Sequence, residues 1–225
     1  MSKDKELDDP GIILTGDGSH SFISEQFREP YHSWYGAIQE SQHVFIHSGL
    51  EQFKNHQGPL RIFEMGFGTG LNALLTSIYS QEHQQEIDYY SIEAFPIDHE
   101  DLTQLNYHQI LNVDQSSFLK LHEANKTQKI HSHFSINVEE ITLEKTQLPN
   151  DHFNIIYYDA FAPAAQAELW EEPVFRKLIA CLKEGGILIT YCAKGVVKRA
   201  MKAAGFTVEG VPGPPGKREM IRASK

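Results

Sequence analysis

The sequence predicts an α/β fold: a doubly wound, mostly parallel sheet of seven strands with helices on both faces and an antiparallel terminal hairpin. Three observations predict it. Apolar strand-like runs alternate with helix-like segments along residues 60–205. Two of those runs, 155–158 and 187–189, are continuously apolar, as strands buried on both faces are. A glycine-rich turn within "FEMGFGTGLN" (63–72) joins the first run directly to a helix-like stretch.

The elements follow in order. Residues 11–53 read as extended or irregular pieces followed by a helix, and Gly58-Pro59 punctuates the chain. Residues 1–55 are therefore assigned to an N-terminal extension that covers the site, and 56–225 to the main domain. "LRIFEMG" (60–66) is the first strand, and Leu71, Leu74, Leu75 and Ile78 give 70–80 helical spacing. "IDYYSIEAF" (87–95) is the second strand. Helices are expected at 97–107, after Pro96, and at 114–125. "HSHFSINV" (131–138) and "FNIIYYDAF" (153–161) are the third and fourth strands. Residues 167–186 predict a helix interrupted near Pro173 and closed by Gly185-Gly186. "GILITYCA" (186–193) is the fifth strand, 195–205 a helix, and "FTVEGV" and "REMIRAS" two last strands turned by "PGPPG".

Composition narrows the class. The chain has 225 residues, 40% hydrophobic and 22% charged, which suits one globular domain with a sizeable core. No run of about 18 apolar residues occurs, so no membrane-spanning helix is expected. The polar N-terminus MSKDKELDDP lacks a signal-peptide core, which predicts a cytoplasmic protein whose first ten residues are loose. Cys181 and Cys192 read as buried free thiols, and no Cys/His metal spacing occurs. Net charge is −10. It is unevenly spread: Lys183–Lys225 holds nine Lys/Arg against three Asp/Glu, +6, while residues 1–182 hold 11 against 27, −16. A basic C-terminal fifth on an acidic body offers one face to a polyanion.

In doubly wound sheets the ligand sits at the carboxyl ends of the strands. The loop E-x-G-x-G-x-G (64–70) lies at the first such end. It is neither the G-x-G-x-x-G dinucleotide fingerprint nor a P-loop. It suits S-adenosylmethionine, whose ammonium an acid near the loop, Glu64, can help to hold directly or through water, and whose carboxylate suits backbone N–H groups and the helix N-terminus. Glu93 ends the second strand 29 residues on, placed to accept two ribose hydroxyls. On these residues alone NAD remains open. Asp159, after an apolar run and before Pro163, faces the same crevice.

Taken together, "FEMGFGTGLN", "SIEAFP", "YYDAFAPAAQAELW" and "GKREM" resemble the MnmC-like methyltransferase family, from about Gly36 to Ile221. The resemblance implies the class I S-adenosylmethionine-dependent fold and methylation of the 5-aminomethyl group of 2-thiouridine at the tRNA wobble position. By that resemblance Glu64, Gly66, Gly68 and Asn72 belong to the cofactor loop and Glu93 is the ribose acid. Asp159 and Phe161 are the catalytic strand end with Pro163, and Lys217, Arg218 and Glu219 form a late basic motif. Glu40, with Ser41, belongs to a segment covering the cofactor. Where the family carries an acid near adenine, this chain has Asn137, whose carbonyl can accept from the amine. Ala160 stands where the family commonly has glycine. The chain ends after the last strand, so only the methylation half is expected, without the flavin oxidase domain of relatives.

A methyl-accepting amine must arrive neutral, and Asp159 is expected to aim it and take its proton. Phe161 is expected to wall the pocket. Tyr31, Trp34 and Tyr35 are aromatic candidates to receive a flipped base. Lys194, Lys198, Arg199, Lys202, Lys217 and Arg218 are candidates for tRNA phosphates. His131 and His133 alternate on one strand face but lack a third ligand, so no metal is expected. Three alternatives stay open: methylation of another amine, a nicotinamide-dependent oxidoreductase, and a non-catalytic RNA-binding module.

Overall fold

The structure, a computed structural model, describes residues 11–225. The expectation that the first ten residues are loose lies outside them. A two-stranded antiparallel ribbon, β1 (Ile12–Leu14) and β2 (His20–Phe22), comes first. Helix α1 (Ala37–Ser41) runs into a wider π-helical turn, Gln42–His47, and a 3-10 turn, Leu50–Phe53. The main layer then begins: β3 (Leu60–Met65), α2 (Leu71–His83), β4 (Ile87–Glu93). Three short helices follow, α3 (His99–Leu102), α4 (Tyr107–Ile110) and α5 (Gln115–Lys120). Next come β5 (Thr127–His131), β6 (Phe134–Glu140), β7 (Phe153–Tyr158), α6 (Glu172–Cys181) and β8 (Leu182–Thr190). The chain closes with α7 (Gly195–Ala203), β9 (Thr207–Pro212) and β10 (Glu219–Ser224).

The sheet order is β5-β6-β4-β3-β7-β8-β10-β9. The five strands β6, β4, β3, β7 and β8 are parallel to one another, and β10 pairs antiparallel with both β8 and β9. The expected terminal hairpin is present, with its second strand on the inside. All six residues of β7 are buried. Ile155 and Tyr157 pack into the core under α2, while Ile156 and Tyr158 pack into the core under α6 and α7. That two-sided burial is what the continuous apolar run encodes.

Several boundaries differ from the sequence reading, each for a local reason. The sheet has eight strands rather than seven. The stretch read as one strand at 131–138 is a hairpin corner: the chain reverses at Ser132-His133, and β5 returns antiparallel on β6. His131 and His133 therefore flank a turn. The helix expected at 97–107 is reduced to the single turn of α3, with α4 starting at its end, and the one expected at 114–125 is shortened to α5. The helical segment is interrupted just before Pro173, as expected: a 3-10 turn, Ala167–Trp170, ends at extended Glu171, and Pro173 stands in the first turn of α6, where its missing N–H costs nothing. Gly185 and Gly186 lie inside β8 rather than closing the helix; Gly185 takes φ +71° where the register with β7 shifts.

Candidate active site

A pocket opens at the carboxyl ends of β3, β4 and β7, where the doubly wound topology places it. The turn after β3 forms its floor. Gly66 (φ +90°), Gly68 (φ +51°) and Gly70 (φ +71°) all take left-handed backbone. At Gly66 a Cβ would stand 2.7 Å from the carbonyl oxygen of Asp159, so this position has room only for glycine.

Glu93, at the end of β4, stands across the pocket from β7. Its Oε2 accepts from Gly68 N–H at 2.8 Å and its Oε1 from Phe95 N–H at 2.9 Å. Burial raises its pKa, and the backbone donors oppose the rise. The loop thus holds the carboxylate in place, with lone pairs left over for a ligand.

Asp159 follows β7 directly and lines the pocket half-buried. Burial pushes its pKa up to about 7; the Asn72 hydrogen bond lowers it, nearby Glu40 raises it and Lys217 lowers it. Asn72 Nδ2 donates to Asp159 Oδ2 at 2.9 Å and to Glu64 Oε1 at 3.0 Å. Asn72 Oδ1 is buried with no protein partner, an acceptor left for a ligand donor at the pocket wall.

Glu64 departs from the sequence reading. It is fully buried, does not line the pocket, and its second oxygen accepts from Ser91 Oγ at 2.8 Å. The reason is strand alternation. Glu64 pairs in register with Ser91 and Tyr157 inside the sheet, one residue short of the strand end, and points under α2 with Ile62. Burial raises its pKa to about 8, against the Ser91 and Asn72 bonds. It reaches a ligand only through Asn72.

Asn137 is also not brought to the pocket. It pairs with Tyr90 within the body of the sheet, three positions short of the Glu93–Glu140 pair, and its Nδ2 donates to Glu139 Oε1 at 3.3 Å. Ile141, just past β6, lines the pocket instead.

Phe161 stands in an aromatic wall, its ring 4.7 Å from Phe27 and 5.1 Å, edge-on, from Tyr31. Gln166 Oε1 accepts from Phe161 N–H at 3.1 Å, and Trp170 Nε1 donates to Phe161 O at 2.8 Å, so the strand end is pinned on both sides of the ring. Tyr31 packs over Gly68, and burial raises its hydroxyl to about 12, so it stays neutral.

Opposite Phe161, Lys217 Nζ pairs with Glu40 Oε1 at 2.6 Å and lies 4.0 Å over the Tyr191 ring. Glu40 Oε2 accepts from Ser33 N–H at 2.8 Å. Lys217 is thus a pocket residue rather than a free surface cation. Lys198 pairs with Glu219 at 2.5 Å, whereas Lys194, Arg199, Lys202 and Arg218 are exposed and unpaired among the described residues. Ser41 is buried away from the pocket, and Trp34 and Tyr35 are exposed outside it.

Sequence reasoning missed His32, Phe27, Gln166 and Tyr191. His32 is buried, 2.7 Å from Thr69 Oγ1, and burial lowers its pKa to about 4, which keeps it neutral. Nothing local in the sequence marks His32 or Phe27. Tyr191 follows the carboxyl end of β8, so the rule that picked Asp159 also points to it. Among the described residues no cluster of three His, Cys, Asp or Glu is placed to hold a metal.

The family model described as S-adenosyl-L-methionine-dependent methyltransferase matches residues 104–225, more than half of the chain. The chain belongs to this methyltransferase family. It is 30% identical over 230 residues to the tRNA 5-methylaminomethyl-2-thiouridine biosynthesis bifunctional protein MnmC of Burkholderia mallei, covering 93% of this chain and 34% of the relative. To the Cupriavidus metallidurans protein of the same name it is 33% identical over 227 residues, 94% of this chain and 33% of the relative. The chain therefore spans about a third of the length of these curated relatives. The crystal structure of MNMC2 from Aquifex aeolicus superposes with a TM-score of 0.81 at 24% identity, over 98% of this chain and 71% of that one. The methyltransferase fold expected from the sequence is shown, and S-adenosylmethionine is the cofactor of the family. The glycine turn, the anchored Glu93 and the orphaned Asn72 Oδ1 are a donor and acceptor set that fits it. No helix among the described residues is long and apolar enough to cross a membrane.

Proposed function

We propose that this methyltransferase methylates an aminomethyl nitrogen on a modified tRNA wobble uridine; its relatives are named for tRNA 5-methylaminomethyl-2-thiouridine biosynthesis. The observation that carries the proposal is Asp159. It is an acid held near neutrality at the mouth of the cofactor turn, beside an aromatic wall that can take a planar base.

The residues divide the work. Glu93 would hold the ribose hydroxyls of S-adenosylmethionine, Gly66 and Gly68 would let it approach the backbone, and Asn72 Oδ1 would accept from its ammonium. When bound, S-adenosylmethionine supplies a methyl group on a sulfonium, transferable by in-line displacement. Asp159, ionised, accepts a hydrogen bond from the substrate amine, aims its lone pair and takes the proton released on N–C bond formation. Phe161 and Tyr31 flank the flipped base and exclude water. Lys217, tied to Glu40 and Tyr191, favours the ionised form of Asp159. Exposed Lys194, Arg199, Lys202 and Arg218 meet phosphates.

The test is methyl transfer from labelled S-adenosylmethionine to three acceptors in parallel: tRNA bearing 5-aminomethyl-2-thiouridine, the free modified nucleoside, and small primary amines. Label in tRNA alone supports the reading. Label in small amines but not tRNA moves the substrate elsewhere and leaves the family assignment intact.

A further inference from the structure

Trp34 and Tyr35 are large aromatic side chains left in water, 48% and 63% exposed, beside the pocket rather than in it. The backbone that carries them is tied down. Gly16 N–H donates to Trp34 O at 2.9 Å, Gly36 N–H to Ser33 O at 3.2 Å, and Gln39 N–H to Asp17 Oδ2 at 2.8 Å. The Tyr35 ring lies against Gly216, where a Cβ would stand 2.2 Å from ring carbon Cε2, so glycine is what makes the seat. The two residues follow pocket-lining Ser33 in the chain, and the seat of the Tyr35 ring, Gly216, precedes pocket-lining Lys217. Arg218, next in the chain, is exposed and unpaired among the described residues. Glu219 ties this turn to Lys198 of α7, whose neighbours Lys194 and Arg199 are also exposed.

Solvent-facing rings on a tied-down backbone beside unpaired cations are the combination that binds unpaired nucleotides: bases stack on the rings and phosphates meet the cations. We propose that Trp34 and Tyr35 form a stacking ledge for unpaired bases next to the target nucleotide, in an RNA loop whose backbone runs over Arg218, Lys194 and Arg199. This rests on the tRNA reading above and adds to it a preference for a single-stranded loop.

The chain has two tryptophans, and Trp170 is buried, so Trp34 reports directly. The experiment titrates the protein with an RNA stem-loop carrying the target uridine in its loop, and with a duplex of equal length, following tryptophan emission and its quenching by acrylamide. Methyl transfer to full tRNA is measured on the same preparation. The stem-loop is expected to quench Trp34 and shield it from acrylamide, and the duplex to do neither. Trp34→Ala and Tyr35→Ala are each expected to weaken stem-loop binding about tenfold, and Trp34→Phe and Tyr35→Phe to keep it within about threefold. Cofactor affinity, read by calorimetry, checks that each variant is folded. Methylation of tRNA with Trp34 emission unchanged, or with alanine variants binding like wild type, overturns the ledge and leaves the tRNA reading standing. Equal quenching by the duplex also overturns it. No binding and no methylation of any RNA removes the reading and the ledge together.

Discussion

One amide nitrogen serves two acids: Asn72 Nδ2 donates to Asp159 Oδ2 at 2.9 Å and to Glu64 Oε1 at 3.0 Å. One carboxylate faces the pocket and the other is sealed under α2, both with raised pKa. Two acids on one donor resist ionising together. The amide therefore links the charge of the reactive acid to that of the buried one.

Removing that amide changes the pH profile. Asn72 lowers the pKa of Asp159 by hydrogen bonding to its ionised form. In Asn72→Ala the acid pKa rises, so the ionised fraction at a given pH falls. Profiles of kcat/KM should show the acid limb near pH 7 in wild type and at least half a unit higher in Asn72→Ala.

Glu64 makes the fold less stable as pH rises. Its folded pKa, about 8, lies above the ordinary 4.5, so the unfolded chain releases this proton first. Its contribution is full below pH 4.5 and is lost as pH climbs to about 8. His32 acts oppositely: its folded pKa of about 4 lies below 6.5, so its contribution is lost as pH falls through that window. Comparing wild type with Glu64→Gln by denaturant unfolding isolates the acid. The stability of the variant relative to wild type should rise by a few kcal/mol between pH 5 and 8, and a flat difference would contradict the assignment.

The glycines of the turn differ in cost. Gly66→Ala puts a Cβ 2.7 Å from a backbone carbonyl oxygen at φ +90°, which cannot yield without moving the strand end. Gly68→Ala meets only the Tyr31 ring, at 3.1 Å and φ +51°. Thermal unfolding and cofactor titration should show Gly66→Ala more damaging on both, by roughly 1–3 kcal/mol in stability.

Paired and unpaired cations separate in RNA binding. Arg199→Gln, Lys202→Gln and Arg218→Gln should each weaken binding and reduce the slope of log affinity against log salt by about one. Lys198→Gln, whose partner is Glu219, should change that slope least. Affinities measured from low to moderate salt decide this.

The sequence carries the fold where a pattern is local and strong. The buried run of β7, the turn after β3 and the terminal hairpin were all legible, because burial on both faces and positive φ leave marks in residue type. The reversal at Ser132-His133 was not, since a lone serine without glycine, proline or asparagine beside it is a weak turn signal and the two histidines mimic strand alternation. At the site, the carboxyl-end rule pointed to Glu93 and Asp159, and both line the pocket. Glu64 was misplaced by one position: a residue inside a strand end points into the core, and one beyond it points into the pocket. His32 and Phe27 reach the pocket from a segment with no periodic signal, held there by contacts that only the folded chain provides.

The measurement that tests the central claim most directly compares wild type with Asp159→Asn, a change that keeps the shape and removes the charge. Cofactor affinity is read by calorimetry, and methylated wobble nucleoside by mass spectrometry of tRNA bearing 5-aminomethyl-2-thiouridine. The predicted result is a methylated nucleoside made by wild type, with a rate at least about a hundredfold lower in Asp159→Asn and cofactor affinity within a few-fold. Methylation by Asp159→Asn at the wild-type rate would contradict the role given to this acid.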